Sequence, residues 1–151
     1  SLLEAASKVK HELRIAGGGP LTDELKAKYA HCPNIKFLGH LDAHGVASLL
    51  SQAKCSVMPS VCYENNPLGV IESLCAGTPV VGANIGGIPE LISADTGIIF
   101  ESGNAEALAT GIDMAMSRTW HHEQIKAESI SRFSPESHLK ILARIYNKPT
   151  D

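Results

Sequence analysis

The sequence predicts an α/β protein built on a doubly wound, Rossmann-like parallel sheet with helices on both faces. Three observations carry that expectation. Short apolar runs alternate with longer segments of helical period along nearly the whole chain, the pattern of successive βα units. The apolar runs are short and poor in polar residues, as strands buried on both faces are. Three turn-rich segments, Gly17–Pro20, Glu64–Gly69 and Gly86–Glu90, each follow such a run. A parallel sheet gathers segments of that kind at its carboxyl edge, where ligands bind in open α/β folds. The 151 residues suit one domain with a single core.

Leu2 to Lys10 reads as a helix with Leu2, Leu3, Ala6 and Val9 on one face. Because Ser1–Ala6 resembles the middle of a helix, the chain is expected to be part of a longer protein. Glu12–Ala16 is a short strand ending in Gly17–Gly18–Gly19–Pro20, a run no regular element tolerates. That turn lacks the Lys–Ser/Thr of a P-loop and the spacing of a dinucleotide fingerprint, so it reads as a tight strand-to-helix turn at a cleft. Thr22 is the expected N-cap of a helix to about Tyr29, and Asn34–Gly39 is the next strand. Asp42 or Ala43 opens a helix to about Ala53. Cys55–Pro59 is a strand, and Pro79–Ala83 another. Pro89 suits the first turn of a short helix. Thr96–Phe100 is a strand, and Asn104 caps a helix over Ala105–Met116. Trp120–Phe133 reads as helical, and a last helix restarts at Ser134–Glu136 with Leu139, Ile141, Leu142, Ile145 and Tyr146 as its apolar positions.

Bulk properties exclude several function classes. Residues are 44% hydrophobic and 19% charged, with a formal charge of −3, which offers no electrostatic case for nucleic acid or an anionic membrane. No apolar run is long enough to span a bilayer, and no signal peptide is visible. The four cysteines show no paired-ligand spacing and read as reduced thiols of a cytoplasmic protein. His40 and His44 lie four apart, but Gly39 and Gly45 argue against the regular helix that a metal pair would need. His121 and His122 point apart on a helix and read as surface residues. Ser60 and Ser73 have no evident base beside them, which disfavours a serine hydrolase.

The chain is organised around Tyr63–Glu72 and its continuation Ser73–Val81. Asn66 is the expected N-cap and Pro67 the first helical residue. The N–H groups of Leu68, Gly69 and Val70 would then lie unpaired at the positive end of a helix, an anion site. Gly69 would let a phosphate approach the backbone. Gly77 ends the helix and Pro79 bars its continuation. Glu64 lies in the preceding loop and Glu72 about one and a half turns into the helix. On the residues alone, Glu72 is either a solvated carboxylate or an acceptor for ligand hydroxyls.

Two glutamates separated by seven residues, followed by Ala76–Gly77–Thr78–Pro79–Val80–Val81 and preceded by Met58–Pro59–Ser60, resemble the signature of the retaining GT-B glycosyltransferases of group 1 (family 4). The resemblance runs from about Leu13 to Tyr146. It implies that residues 1–151 are the carboxy-terminal, donor-binding half of a GT-B fold, without the amino-terminal acceptor domain and without the first strand of this domain. It implies a hexosyltransferase that moves a sugar from a UDP-, GDP- or ADP-linked donor to a hydroxyl of a glycan, lipid or lipid-linked saccharide. Glu64 would be catalytic, holding donor-sugar hydroxyls. Asn65, Asn66, Pro67, Leu68, Gly69 and Val70 would bind sugar and distal phosphate, and Glu72 the ribose. Gly18, Phe37, Leu38 and His40 would border the base and line the cleft, together with the Gly86–Glu90 run. No metal or other cofactor is implied. The partners would be the nucleotide sugar and the protein's own amino-terminal domain, with any membrane-peripheral placement coming through that half. The Arg and Lys that the family carries just upstream, on and after that first strand, have no match in residues 1–15. A non-catalytic GT-B-like module and a sugar-nucleotide epimerase on the same fold are the alternative readings.

Overall fold

The computed structural model describes residues 2–146. Ser1, where the amino-terminal helical reading begins, lies outside them. The elements run α1 (Leu2–Lys8), β1 (Leu13–Ala16), α2 (Thr22–Lys28), β2 (Ile35–Gly39), α3 (Ala43–Gln52), β3 (Ser56–Met58), α4 (Leu68–Cys75), β4 (Val80–Ala83), α5 (Ile88–Leu91), β5 (Gly97–Phe100), α6 (Ala105–Ser117), α7 (His122–Arg132) and α8 (Pro135–Tyr146). Every strand pairing among the described residues is parallel.

The expected α/β architecture is present, with one difference. The strands form two ladders, β1–β2 and β3–β4–β5, and no ladder joins β1 to β3. Between those two inner edges runs an apolar groove of about 640 Å³. Helices cover both faces. Val81 faces α6, where a Cβ added to Gly111 would lie 3.2 Å from its side chain. The next residue, Gly82, faces the other way, onto Ile88 and Ile92.

Two apolar clusters follow from this division. The larger gathers Val70 and Leu74 of α4, Val80 and Val81 of β4, Phe100, and Leu108 and Ile112 of α6. The smaller holds Leu3, Ala6, Cys32 and Ile35, with Ile15 and Phe37 packed against it. Helix α1 and the Val9 that follows it bridge them, with Leu3 and Ala6 in the smaller and Ala5 and Val9 in the larger. The carboxyl end of α1 is held by Asn34, whose Nδ2 donates to the carbonyls of Ala6, Val9 and His11 at 2.9–3.1 Å.

Several local expectations change. Helix α1 ends at Lys8, not Lys10, and Asn34 takes the carbonyl of Ala6 near its end and those of Val9 and His11 just beyond it. Thr22 does not cap α2: Leu21 holds that position, and the Thr22 hydroxyl turns back to accept the Gly19 N–H at 2.8 Å. Asn66 does not cap α4. Pro67 is the N-cap with an extended backbone (ψ 106°), so the helix begins at Leu68. Asp42 and Asn104 do cap their helices, accepting from Gly45 and from Glu106 and Ala107. Trp120 precedes α7 rather than belonging to it. It is buried, and its Nε1–H donates to Ala115 O at 2.8 Å. Helix α8 buries none of its residues; it touches α7, and Leu139, Ile141, Ile145 and Tyr146 remain exposed.

Candidate active site

Within each ladder the loops after the strands open on one edge, because the pairings are parallel. They form two groups, one on each side of the groove. After β1 and β2, the Gly17 N–H donates to Gly39 O at 2.6 Å and ties the glycine turn to the β2 exit. After β3, β4 and β5, three contacts tie the loops together. The Gly87 N–H donates to Glu64 O at 2.6 Å, the Ser102 hydroxyl to Ser60 O at 3.1 Å, and the Asn84 N–H to Phe100 O at 2.7 Å.

Glu64 is half-buried, and the Ser60 hydroxyl donates to its Oε1 at 3.2 Å. Its backbone rests directly on Gly86 and Gly87. A Cβ at Gly86 would strike the Glu64 backbone, and one at Gly87 the Asn65 carbonyl; Gly86 also has φ +55°. The glycine pair is therefore the floor on which the Glu64 loop lies. Arg132 holds the neighbouring short helix, donating to the carbonyls of Glu90 and Leu91 at 2.8 and 3.3 Å.

Helix α4 is fixed at its carboxyl end. Buried Ser73 shares a 2.7 Å hydrogen bond with Ser56 and donates to Thr78 O, and the Thr78 hydroxyl donates to Leu50 O at 2.6 Å. Gly77 closes the helix at φ +84°, and a ring nitrogen of His122 lies 2.9 Å from its carbonyl. His122 is exposed, as its spacing suggested, and its ring makes this one structural contact besides. At the other end Leu68 and Gly69 head the helix, where N–H groups have no intrahelical acceptor. Val70 departs from the expected set of open amides: its N–H donates to Pro67 O at 3.0 Å, a consequence of the later helix start.

Asn65 and Asn66 are exposed in the loop, and Pro67 is buried beneath it. Gly69 and Glu72, one turn apart, lie on the groove wall, and Glu72 is exposed. A Cβ at Gly69 would sit 2.9 Å from the Met58 methyl, so its smallness also serves packing. On the other side of the groove, Gly18, Leu38 and His40 are exposed at the ends of β1 and β2. Leu38 is the extra residue where the β1–β2 register shifts. Phe37 differs: it packs against the smaller core cluster, so its side chain supports the edge from beneath.

The sequence reading missed Ser60 as the partner of Glu64, and missed Ser102 and Asn34 as hydrogen-bonding residues. Ser60 lies four residues before Glu64, a spacing that could have drawn attention to it. Ser102 and Asn34 meet partners 42 and 23–28 residues away, and no local pattern marks such contacts. Among the described residues, no three of His, Cys, Asp and Glu are grouped so as to hold a metal ion.

Comparison with known proteins agrees with this geometry. The family model described as glycosyl transferases group 1 matches residues 1–118. A GDP-mannose-dependent alpha-(1-6)-phosphatidylinositol dimannoside mannosyltransferase of Mycobacterium tuberculosis is 36% identical over 117 residues, covering 77% of this chain and 30% of its own length. A glycosyltransferase crystal structure from Rickettsia africae superposes with a TM-score of 0.81 at 27% identity, over 98% of this chain and 44% of that one. Anabaena HepE, solved in complex with UDP, shares the fold with a TM-score of 0.80 at 19% identity, over 97% of this chain and 44% of its own. This chain therefore spans about a third to under half the length of the proteins it matches.

Proposed function

The chain belongs to the group 1 glycosyl transferases, and from that premise we propose that it is the donor-binding part of a retaining glycosyltransferase. The parent protein moves a hexose from a nucleoside diphosphate to a hydroxyl of a glycan, lipid or lipid-linked saccharide. The observation that carries this is the meeting of two features at the sheet's carboxyl edge. One is a glutamate oriented by Ser60 and floored by Gly86–Gly87; the other is the amino terminus of a helix anchored at its carboxyl end.

The chemistry follows from what those groups do. The Leu68 and Gly69 amides and the helix dipole stabilise negative charge, which grows on the diphosphate as the bond to the anomeric carbon breaks. Glu64 holds sugar hydroxyls, so that carbon sits in place for attack. The acceptor oxygen bonds to it on the face the diphosphate leaves, and the acceptor proton passes to the departing phosphate oxygen. Configuration is retained, and the helix amides do the work a metal does elsewhere. Glu72, one turn below Gly69, accepts hydrogen bonds from the ribose. Four free cysteines fit a reducing, cytoplasmic setting. Among the described residues no helix is long and apolar enough to cross a membrane.

Relatives carry names with both GDP and UDP, so the test uses each. Calorimetric titration of the longer protein with UDP, GDP, ADP and their hexose forms is expected to find one that binds saturably. Glu72→Ala should weaken that binding roughly tenfold or more, the scale of hydrogen bonds lost to a charged group. Glu64→Ala should keep diphosphate binding and lose transfer. Full transfer by the Glu64→Ala, Glu72→Ala double variant would overturn these roles.

A further inference from the structure

We propose that Ser102, on the turn between β5 and α6, is a positioning residue that acts on Glu64 through Ser60. The inference rests on the reading of Glu64 as the group that holds donor-sugar hydroxyls. Two hydrogen bonds in series carry it, together with the unequal support of the segments they join.

The Glu64 segment has no ladder of its own. Strand β3 ends at Met58 and α4 starts at Leu68, and residues 59–67 between them belong to no helix or strand. A stretch of that kind takes its shape from the neighbours that satisfy its backbone.

The Ser60 hydroxyl has a choice of acceptors. It lies 3.2 Å from Glu64 Oε1 and 3.4 Å from Cys62 O, and a hydroxyl has one proton to donate. Which acceptor receives that proton depends on how Ser60 is turned. When it goes to Cys62, the hydroxyl presents lone pairs to the carboxylate, and Glu64 loses its donor.

Ser102 fixes that turn. Its hydroxyl donates to Ser60 O at 3.1 Å, and both residues are half-buried. This carbonyl is part of the planar peptide that links Ser60 to Val61, so anchoring it restricts Ser60 on the side that leads to Glu64. At the far end of the stretch the Gly87 N–H holds Glu64 O at 2.6 Å. Residues 60–64 are thus bracketed by the loop after β5 at one end and the loop after β4 at the other.

The turn that carries Ser102 is itself well held. Phe100, the last residue of β5, accepts from the Asn84 N–H at 2.7 Å. Asn104 caps α6 through Glu106 and Ala107, and its Nδ2 and backbone N–H both return to Glu101, at 2.8 and 3.2 Å. Ser102 therefore sits between a paired strand and a capped helix, and its side chain passes that support to Ser60. Misplacement of a group that sets the reacting carbon by about 1 Å can cost on the order of 100-fold in rate. The start of α4 and Glu72, which serve the diphosphate and ribose, lie outside the Ser102–Ser60–Glu64 chain.

The test uses the longer protein and reads transfer from UDP-, GDP- or ADP-hexose, diphosphate affinity and amide exchange. Ser102→Ala is expected to lower kcat about fivefold or more while Kd for UDP, GDP and ADP stays within about twofold, and Ser102→Thr to restore most of the loss. The Gly87 amide should exchange several-fold faster in Ser102→Ala, with Val81 unchanged. Ser117→Ala removes a hydroxyl that donates to Met114 O at 3.0 Å at the other end of α6, and should alter none of these. In a Ser60→Ala background, Ser102→Ala should cost little more, because the effect runs through the Ser60 hydroxyl. Unchanged kcat in Ser102→Ala overturns the proposal, and so does an equal fractional loss in the two backgrounds. An inactive Glu64→Ala beside an unimpaired Ser102→Ala overturns this proposal alone. Full transfer by Glu64→Ala overturns the reading of Glu64 and this proposal with it.

Discussion

Glu64 takes its direction from a hydroxyl four residues earlier, and that hydroxyl can be removed without disturbing the core. The 3.2 Å bond from Ser60 goes to a half-buried carboxylate at a loop edge, where a charge-assisted bond contributes about 1 kcal/mol or somewhat more. On the proposed role of Glu64, Ser60→Ala in the longer protein is expected to lower transfer several-fold, with Ser60→Thr restoring most of it and the denaturation midpoint barely changed. Cys55 gives a prediction of a different kind. Burial pushes its thiol from 9.0 up to about 11. In the unfolded chain the thiol loses its proton near 9, so above that pH the folded state binds more protons than the unfolded one. Stability is then full below about pH 9 and falls as pH rises toward 11, by an amount on the order of 2 kcal/mol. Cys55→Ala should flatten that alkaline loss in urea titrations between pH 8 and 11. The two glutamates were legible in the sequence because a local motif carries them. Ser102 was not, because its partner is 42 residues away.

Helix α4 has its anchoring contacts at its carboxyl end, and that end is where a substitution would act most sharply. Gly77 combines a left-handed backbone with close approach: at φ +84°, an added Cβ would lie 2.8 Å from His122 O. Gly77→Ala is expected to cost about 2–3 kcal/mol in urea unfolding with an unchanged m-value, from backbone strain and displacement of α7. Gly87→Ala should behave differently. The clash falls on the Asn65 carbonyl in an exposed loop, so transfer should fall far more than stability does. Helix positions were readable from period and punctuation, and Asp42 and Asn104 cap as their sequence context indicates. The start of α4 was not readable to the residue. Asn66 and Pro67 both suit a helix start, and the extended ψ of Pro67 decided between them.

Across the whole molecule, the division into two ladders predicts uneven stability. The β1–β2 side rests on the smaller apolar cluster and meets the rest chiefly through α1, whereas β4 is buried along its whole length. Native-state hydrogen exchange of the 151-residue chain should give lower opening free energies for Ile15 and Phe37 than for Val81. Asn34→Ala should widen that gap, because it strips the acceptor pairing from the end of the helix that bridges both clusters. Equal protection on both sides in the variant would show that α1 is not the link.

The sequence by itself determined the order of strands and helices, the parallel α/β class, and the edge on which Glu64 and the start of α4 meet. Those properties follow from local period, turn chemistry and the geometry of parallel strands, all of which short segments encode. Only the tertiary structure decided that the sheet is divided, that Phe37 turns into the smaller core, and that Gly86 and Gly87 form the floor under Glu64. Each of these depends on which backbone approaches which across a long stretch of chain. Local patterns carry no record of such approaches, because the partners become neighbours only once the layers have packed.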